Sequence, residues 1–267
     1  MRPASSTLHS LRQSIALIGR DGARHENGRS QERVQTGYEA VDQALGGGLM
    51  RGALHEILPQ KPNDLAAATG FCLGLVARST GARDWIWIRE DQTLREAGQP
   101  YGPGLVGFGL DPARLLLVAT RNTQDALKAA EDALHCHALG AVLFEPWGDP
   151  KSLDLTTTRR LTLASEDSSV PLIILRSGGR SASGTARTRW IVTSKMSASV
   201  EEPGIPRWSI DLVLNRQSGA RGGVRTWVME WRYDECLFRP TDSVGHLSAS
   251  INGPTETSHA TQLRRSI

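Results

Sequence analysis

The sequence lacks the features of membrane and secreted proteins. It contains no run of about 18 apolar residues, and residues 1–20 include only the short apolar patch from Ile15 to Ile18. We therefore expect a cytoplasmic protein with neither a membrane span nor a secretory signal. Cysteine is scarce, because Cys72, Cys136 and Cys236 lie far apart and form no Cys-x-x-Cys pair for zinc or redox chemistry. Buried free thiols are expected.

The chain also has little excess charge, since its formal net charge is only +3. Charged residues make up 22% and apolar residues 39%, which predicts a folded core rather than a disordered chain. Arginine supplies 27 of the 31 basic residues. This excess favours bidentate contacts with phosphate or carboxylate, although a biased genome composition accounts for it equally well.

Composition divides the 267 residues into three segments. Residues 1–35 are polar apart from one apolar stretch, so we predict a short helix and a linker. Residues 241–267 are rich in Ser, Thr, His and Asn without any aromatic residue, so we predict a disordered tail. The body, residues 36–240, has the length of one domain.

Strand-like and helix-like segments alternate through most of the body. Apolar runs and helical spacing predict five strands, at 53–58, 85–88, 114–119, 141–144 and 170–175, and four helices, at 36–45, 65–79, 123–138 and 153–164. This alternation indicates an α/β fold with a mostly parallel twisted sheet flanked by helices. Later short strands between residues 189 and 238, with a hairpin tip at 217–223, predict antiparallel strands that finish the sheet. Functional groups are expected at the carboxyl ends of the parallel strands.

The first predicted helix begins with a capping-box pattern. Thr36 can accept an amide hydrogen bond at the start of the helix while Glu39 reaches back to the chain. Three consecutive glycines, Gly46, Gly47 and Gly48, then predict the end of this helix.

The pattern Thr36-Gly-x7-Leu-Gly-Gly-Gly-Leu-x-x-Gly52-x3-Glu56-Ile57 resembles the entry to a RecA-type core. The similarity continues in order to about residue 175, through the Trp-Ile-Trp-Ile strand at 85–88 and the strand at 141–144. It implies a RecA-like, P-loop-type fold, in which a glycine-rich loop after the first strand holds the phosphates of ATP.

That phosphate loop is degenerate in this chain. A RecA-type ATPase requires Gly-x4-Gly-Lys-Ser/Thr here, because glycine amides wrap the phosphates, lysine neutralises them and a hydroxyl holds magnesium. Pro59 has no donor amide, Asp64 adds negative charge, Leu65 replaces the lysine and Ala66 has no hydroxyl. We therefore predict a pseudo-ATPase without a nucleotide cofactor. The degenerate loop consists of Pro59, Gln60, Lys61, Pro62, Asn63, Asp64, Leu65 and Ala66.

Three acids mark the other positions of the resembled active site. Glu90 and Asp91 follow the second strand, where RecA-type ATPases carry a water-activating carboxylate, and Asp91 is the closer match. Glu145 ends the fourth strand, where a magnesium-linked Asp would stand. We interpret all three as vestigial, solvated acids at strand ends, with a leftover metal site as the alternative.

The chain is also similar to the ImuA family, the RecA-like accessory proteins of bacterial damage-induced mutagenesis cassettes. The resemblance rests on Gly-Ala-Leu-His-Glu-Ile at 52–57, Ala-Arg-Thr-Arg-Trp-Ile-Val at 186–192, Pro-Arg-Trp-Ser-Ile-Asp-Leu-Val at 206–213 and Trp-Val-Met-Glu-Trp at 227–231. It implies a non-catalytic adaptor in translesion synthesis. The implied partners are an ImuB-type relative of Y-family polymerases, a DnaE-type error-prone polymerase and the recombinase RecA.

Basic charge is concentrated near the C-terminal end of the body. Residues 176–232 contain ten basic and four acidic residues. The segment after the fifth strand combines glycines, hydroxyls and spaced arginines, which can follow a phosphate backbone. We predict contact with single-stranded DNA or an acidic partner through Arg176, Arg180, Arg187, Arg189 and Trp190. The alternative for Trp190 and for Trp208 is a place in the core, which we favour.

Two other functions fit parts of the pattern. A SulA-like cell-division inhibitor of the SOS response would share a degraded RecA-like core, and a DNA-dependent ATPase would have to use Lys61, Asp91 and Glu145. His135 and His137 lie two residues apart, so they point to different faces of a helix, and we predict no metal site.

Overall fold

The computed structural model describes residues 32–178, 184–196, 204–217 and 223–241. The predicted N-terminal helix, the centre of the predicted hairpin tip and all but the first residue of the predicted tail lie outside these ranges. None of the helices within them is long and apolar enough to cross a bilayer.

The described part of the chain forms one large sheet and a small two-stranded one. The small sheet pairs β1 (Arg33–Val34) with β2 (Leu49–Met50) antiparallel, so residues assigned to the linker pair with the body. The strands of the large sheet are β3 (Leu54–Pro59), β4 (Trp85–Glu90), β5 (Leu115–Thr120), β6 (Ala141–Glu145), β7 (Leu172–Leu175), β8 (Thr188–Ser194), β9 (Arg207–Asn215), β10 (Arg225–Arg232) and β11 (Leu237–Pro240).

The large sheet runs in the order β11-β10-β9-β8-β3-β7-β6-β4-β5. The strands from β8 to β5 in this order are parallel, whereas β9, β10 and β11 pair antiparallel beyond β8. This arrangement confirms the predicted α/β fold, a RecA-like core with a mostly parallel sheet finished by antiparallel strands. The carboxyl ends of β3, β7 and β6 therefore lie side by side at one edge, which we call the carboxyl edge.

The helices cover both faces of this sheet. In chain order they are α1 (Glu39–Ala44), α2 (Leu65–Thr80), α3 (Asp91–Ala97), α4 (Gly102–Gly107), α5 (Thr123–Leu134) and α6 (Leu155–Ser168). Along β3, Leu54 joins the core beneath α5 and α6, whereas Ile57 joins the core beneath α2. Strands buried on both faces are mostly apolar on both, which explains the continuous apolar runs of β6 and β7.

The predicted helix and strand order is confirmed, with two differences. The segment between the second and third predicted strands, for which no helix was predicted, contains α3 and α4. The capping-box prediction is wrong, because Tyr38 precedes α1 and no side chain caps its start. The Asp42 carboxylate instead accepts hydrogen bonds from the Thr36 amide at 2.8 Å and hydroxyl at 2.9 Å. The Glu39 carboxylate instead accepts a hydrogen bond from the Gln43 side chain at 2.9 Å.

Aromatic side chains fill the core beneath α2. Trp190 and Trp208 are both at most 1% exposed and meet the Phe71 ring edge-on, with centroids 5.7 and 6.1 Å apart. Gly74 in α2 lies against Phe238, and a Cβ atom at Gly74 would be only 2.4 Å from that ring. The preferred interpretation of both tryptophans as core residues is confirmed.

Candidate functional site at the carboxyl edge of the sheet

The turn after β3 is short and tied to the sheet. The amide of Gln60 donates to the Val192 carbonyl at 2.8 Å, and Lys61 is extended, with φ −137° and ψ 160°. A 3-10 turn, Pro62–Asp64, then leads directly into α2. Residues 59–66 include neither a glycine nor a residue with positive φ. The turn therefore offers no left-handed backbone to wrap an anion.

Asp64 has a structural partner in this turn. Its Oδ1 accepts hydrogen bonds from the Ser194 amide at 2.9 Å and from the Ser194 hydroxyl at 2.6 Å. The hydrogen bonds from the Ser194 hydroxyl and amide hold the pKa of Asp64 below its ordinary value, against the opposing effect of burial. The carboxylate, itself only 5% exposed, thus joins the start of α2 to the end of β8.

The remaining residues of the turn are mostly solvent-facing. Lys61 is exposed before the 3-10 turn, Leu65 is half-buried as the first residue of α2, and Ala66 is exposed. A phosphate-binding lysine would stand in the first turn of α2, whereas Lys61 lies before the 3-10 turn that precedes α2.

The three predicted acids belong to different sets of contacts, and the prediction that they are solvated is wrong for Glu90 and Glu145, which are buried among protein donors. Glu90 is 7% exposed, and its Oε1 accepts from the Thr123 hydroxyl at 2.8 Å and from the Trp147 amide at 3.0 Å. Glu90 thereby joins the end of β4 to α5 and to the loop after β6. Asp91 is the half-buried first residue of α3.

Glu145 is buried in an ion pair. Its Oε2 accepts from Arg89 Nε at 2.7 Å and from the indole of Trp87 at 3.0 Å, across neighbouring strands. Burial raises the pKa of Glu145, and the charge and hydrogen bond of Arg89 and the indole of Trp87 oppose that rise. The Arg89 guanidinium also lies 4.9 Å from the Trp87 ring centroid. Both oxygens of the carboxylate thus face protein donors, with the longer contact, 3.4 Å, made by Arg89 Nη2.

Arg176 and Arg189 share one buried carboxylate. Glu56 on β3 is 1% exposed, and its two oxygens accept from Arg176 Nη1 at 3.3 Å and from Arg189 Nε at 2.7 Å. Arg176 also pairs with Asp149 in the loop after β6. Both arginines, which the sequence assigned to DNA or partner contact, therefore lie in an internal charge network.

The other residues of that prediction have different surroundings. Arg187 is 37% exposed and pairs with Glu166 of α6 at 2.8 Å, and Arg180 lies outside the described residues. Trp190 is fully buried, so it cannot stack on a base. Its indole donates to the Thr188 hydroxyl at 2.8 Å, and that hydroxyl lies 2.8 Å from Nδ1 of His55.

Sequence comparison relates the chain to two known proteins. The chain is 32% identical to the proteins named ImuA from Caulobacter vibrioides strains NA1000 and CB 15, over an alignment of 204 residues. The alignment covers 69% of this chain and 77% of each relative. This chain belongs to the ImuA family. No family model matches the sequence.

In this member of the ImuA family, sequence reasoning missed the acids that organise the carboxyl edge. Glu56 was used only as part of the RecA-like pattern, and Asp149 and Trp147 were not singled out. A charged residue inside the apolar strand 53–58 was the available signal, because such a residue is buried only with a partner. Nothing in the sequence pointed to Arg176 as that partner, 120 positions away.

The described residues of this ImuA family member contain no group of three or more His, Cys, Asp or Glu side chains able to hold a metal ion. The predicted helix 123–138 ends earlier, at Leu134, so His135 is its C-cap residue and His137 lies beyond it rather than on another helix face. The chemistry available at the carboxyl edge is therefore that of arginine-carboxylate pairs, hydroxyls and one exposed indole.

Proposed function

We propose that this chain is a non-catalytic, RecA-like adaptor in DNA-damage-induced translesion synthesis. In this role it assembles with an ImuB-type protein and a DnaE-type error-prone polymerase, and joins them to single-stranded DNA or to RecA. Family membership supports the setting, and the geometry of the carboxyl edge supports the absence of catalysis.

The observation that carries the proposal is the turn after β3. Phosphate binding needs successive free amides, a lysine at the start of the following helix and a hydroxyl for magnesium. Here the amide of Gln60 bonds to the sheet, and Asp64 places a carboxylate where the phosphates would need positive charge. The hydrogen bonds from Ser194 stabilise that carboxylate in its charged form, so we expect it to repel the negative charge of a triphosphate.

The contacts of the acids favour the same proposal. Glu90 and Glu145 both accept hydrogen bonds from protein groups. Arg89 pairs with both oxygens of Glu145, and this close positive charge disfavours a magnesium ion at the same carboxylate. We infer that these acids now stabilise the ends of β4 and β6.

Calorimetry with Mg-ATP tests the loss of nucleotide binding. We expect no heat of binding for the wild-type chain, and no change in Lys61→Ala. Lys128→Ala, which removes an exposed lysine from α5, is the matched control. Micromolar binding that Lys61→Ala abolishes and Lys128→Ala preserves would refute the proposal, as would ATP hydrolysis stimulated by single-stranded DNA.

Co-purification tests the adaptor role. We expect the full chain to retain an ImuB-type protein and a DnaE-type polymerase whether or not nucleotide is present, because no nucleotide switch controls assembly. A chain ending at Pro240 shows whether the last residues take part. Failure of the full chain to retain either protein would contradict the adaptor role.

A further inference from the structure

The outward side of α6 carries two exposed leucines. Leu155 and Leu163 are each 54% exposed, and their spacing of two helical turns places them on one side of α6, about 12 Å apart. Arg159, halfway between them, is also exposed, and the aliphatic part of an arginine side chain can extend an apolar surface. We call Leu155, Arg159 and Leu163 the α6 stripe.

The other sides of α6 are in contact with the rest of the fold. Arg160 pairs with Glu131 of α5 at 2.7 Å, and the Thr162 hydroxyl lies 2.6 Å from the Thr185 hydroxyl. Leu161 belongs to the core beneath α5 and α6. The α6 stripe therefore faces away from the sheet, between α5 and the segment that precedes β8.

The neighbouring helix has no such stripe. All apolar residues of α5 are buried, and its exposed positions are Gln124 and Lys128. A helix at the surface of a protein ordinarily has this polar outer side. Two leucines along the outer side of α6 favour a further segment that covers them.

The described chain begins close to the C-terminal end of α6. The Glu32 carbonyl accepts a hydrogen bond from the Arg51 amide at 2.9 Å, and the Glu32 carboxylate lies 3.6 Å from Arg51 Nε. The next residue, Gly52, packs on α6, since a Cβ atom there would lie 3.2 Å from the Ser165 carbonyl oxygen. Residues 1–31 therefore join the fold next to the helix that carries the stripe.

Residues 1–31 contain an apolar pattern that matches the α6 stripe. Leu8, Leu11, Ile15 and Ile18 are spaced by three and four positions, which is the spacing of one helix face. In a helix Leu11 and Ile18 would be about 10 Å apart, close to the separation of the two leucines of the stripe. A helix this short is marginal in water, so it needs a surface on which to bury its apolar side.

The connection is long enough for docking within one chain. Residues 19–31 lie between the apolar pattern and Glu32. A connection of this length spans up to about 40 Å when extended, whereas α6, Leu155–Ser168, is only about 21 Å long. A flexible connection this short also gives a local concentration in the millimolar range, which favours the stripe of the same chain over that of a second copy.

We propose that residues 8–18 form an amphipathic helix that docks on the α6 stripe of the same chain. Leu11, Ile15 and Ile18 cover Leu155 and Leu163 and exclude water from them. The inference gives residues 1–31 a place on the fold. It does not depend on the proposed adaptor function, so co-purification with polymerase partners tests that function separately.

Hydrogen exchange of the full chain, followed by mass spectrometry, tests this docking. The double variant Leu155→Asp with Leu163→Asp puts two charges on the stripe at exposed positions. Amides of residues 8–18 should exchange roughly tenfold faster in this variant than in the wild type, because their docked state is lost. Circular dichroism melts show whether the variant remains folded.

Val106→Asp is the matched control. Val106 is 60% exposed on α4, and its neighbour Leu105 joins the core beneath α2, on the opposite face of the sheet from α6. Exchange of residues 8–18 should therefore be the same in this variant as in the wild type. The double variant Leu11→Asp with Ile15→Asp changes the other side of the contact and leaves every described residue intact.

Photo-crosslinking identifies the surface that the segment contacts. Benzoylphenylalanine in place of Ala16, beside the apolar pattern, should crosslink to α6, and Leu11→Asp with Ile15→Asp should abolish this crosslink. An equal mixture of isotope-labelled and unlabelled full chains separates the two modes of docking. Docking within one chain joins peptides of the same label, whereas docking on a second copy also joins labelled to unlabelled peptides.

Four outcomes would overturn the inference. They are equal exchange of residues 8–18 in the wild type and in Leu155→Asp with Leu163→Asp, an equal increase in Val106→Asp, crosslinks that avoid α6, and crosslinks between labelled and unlabelled chains. The last outcome would assign the α6 stripe to a second copy of the chain. Crosslinks to α6 within one chain that disappear in Leu11→Asp with Ile15→Asp would support the docked helix even if the α6 variant failed to fold.

Discussion

Replacing Asp64 with alanine removes the two hydrogen bonds that join the turn after β3 to the end of β8. Each bond involves a charged acceptor, and such bonds contribute about 1.5 to 3 kcal/mol when buried. Ser194 is exposed, so water can satisfy its donors after the substitution. We therefore expect the lower part of that range for the pair together, a loss of about 2 kcal/mol in the free energy of unfolding.

Two further variants divide this effect. Ser194→Ala removes only the hydroxyl donor and should cost about 1 kcal/mol, because the amide contact at 2.9 Å remains. Asp64→Asn keeps an acceptor oxygen but loses its charge, so its free energy of unfolding should lie between those of the wild type and Asp64→Ala. The pKa of Asp64 is lower in the folded state than its ordinary value. The stability that the charged carboxylate contributes is therefore fully present above the ordinary pKa of an aspartate, and it is lost as pH falls through the folded-state pKa.

Urea unfolding followed by tryptophan fluorescence measures these differences at pH 7. Asp167→Ala, an exposed acid on α6, is the control and should stay within about 0.5 kcal/mol of the wild type. A loss in Asp64→Ala no larger than in this control would refute a structural role for Asp64. ATP binding gained by Asp64→Ala would show instead that the acid only blocks a working phosphate site.

Two other predictions concern buried charge. Glu145→Ala leaves the Arg89 charge buried without its carboxylate and should lower the free energy of unfolding in urea by about 3 to 5 kcal/mol. The double variant Arg89→Met with Glu145→Leu removes both charges and should lose clearly less stability. Equal losses in the two variants would argue against a structural ion pair. Burial lowers the pKa of His55 to about 4, with the charge of Arg187 adding to the shift and the hydrogen bond to Met50 opposing it. The unfolded chain therefore binds the extra proton between about pH 6.5 and 4, and stability should fall by up to about 3 kcal/mol as pH drops through that window. His55→Gln should show a much smaller fall, and an identical pH profile in the variant would contradict this assignment.

The strands and helices of the core follow from local patterns. The continuous apolar run at residues 172–175 fits a strand covered on both faces, and the spacing of Phe71, Leu75 and Val76 produces the apolar side of α2. Neighbouring residues decide these features, so sequence reasoning recovers them. The capping-box prediction shows the limit of local patterns. Thr36 and Glu39 have the spacing of a capping box, but Thr36 donates its hydrogen bonds to Asp42.

The sequence also predicted that the turn after β3 is unfit for phosphates, because the residue types it lacks are visible without knowledge of the fold. It did not identify what replaced them. Asp64 and Ser194 are 130 residues apart, and their contact exists only because β8 pairs with β3. The proposed loss of nucleotide binding therefore rests on residue types, whereas the contact between Asp64 and Ser194 could not be predicted from them.

The basic segment after β7 separates the two kinds of information most clearly. The sequence by itself determined how many arginines lie there, and it placed them next to a strand end. Only the tertiary structure decided that Arg176 and Arg189 meet one carboxylate on β3, while Trp147 stays at the surface. Burial and charge pairing depend on which distant segments the sheet order brings together, and strand order is fixed by packing of the whole core rather than by any local pattern.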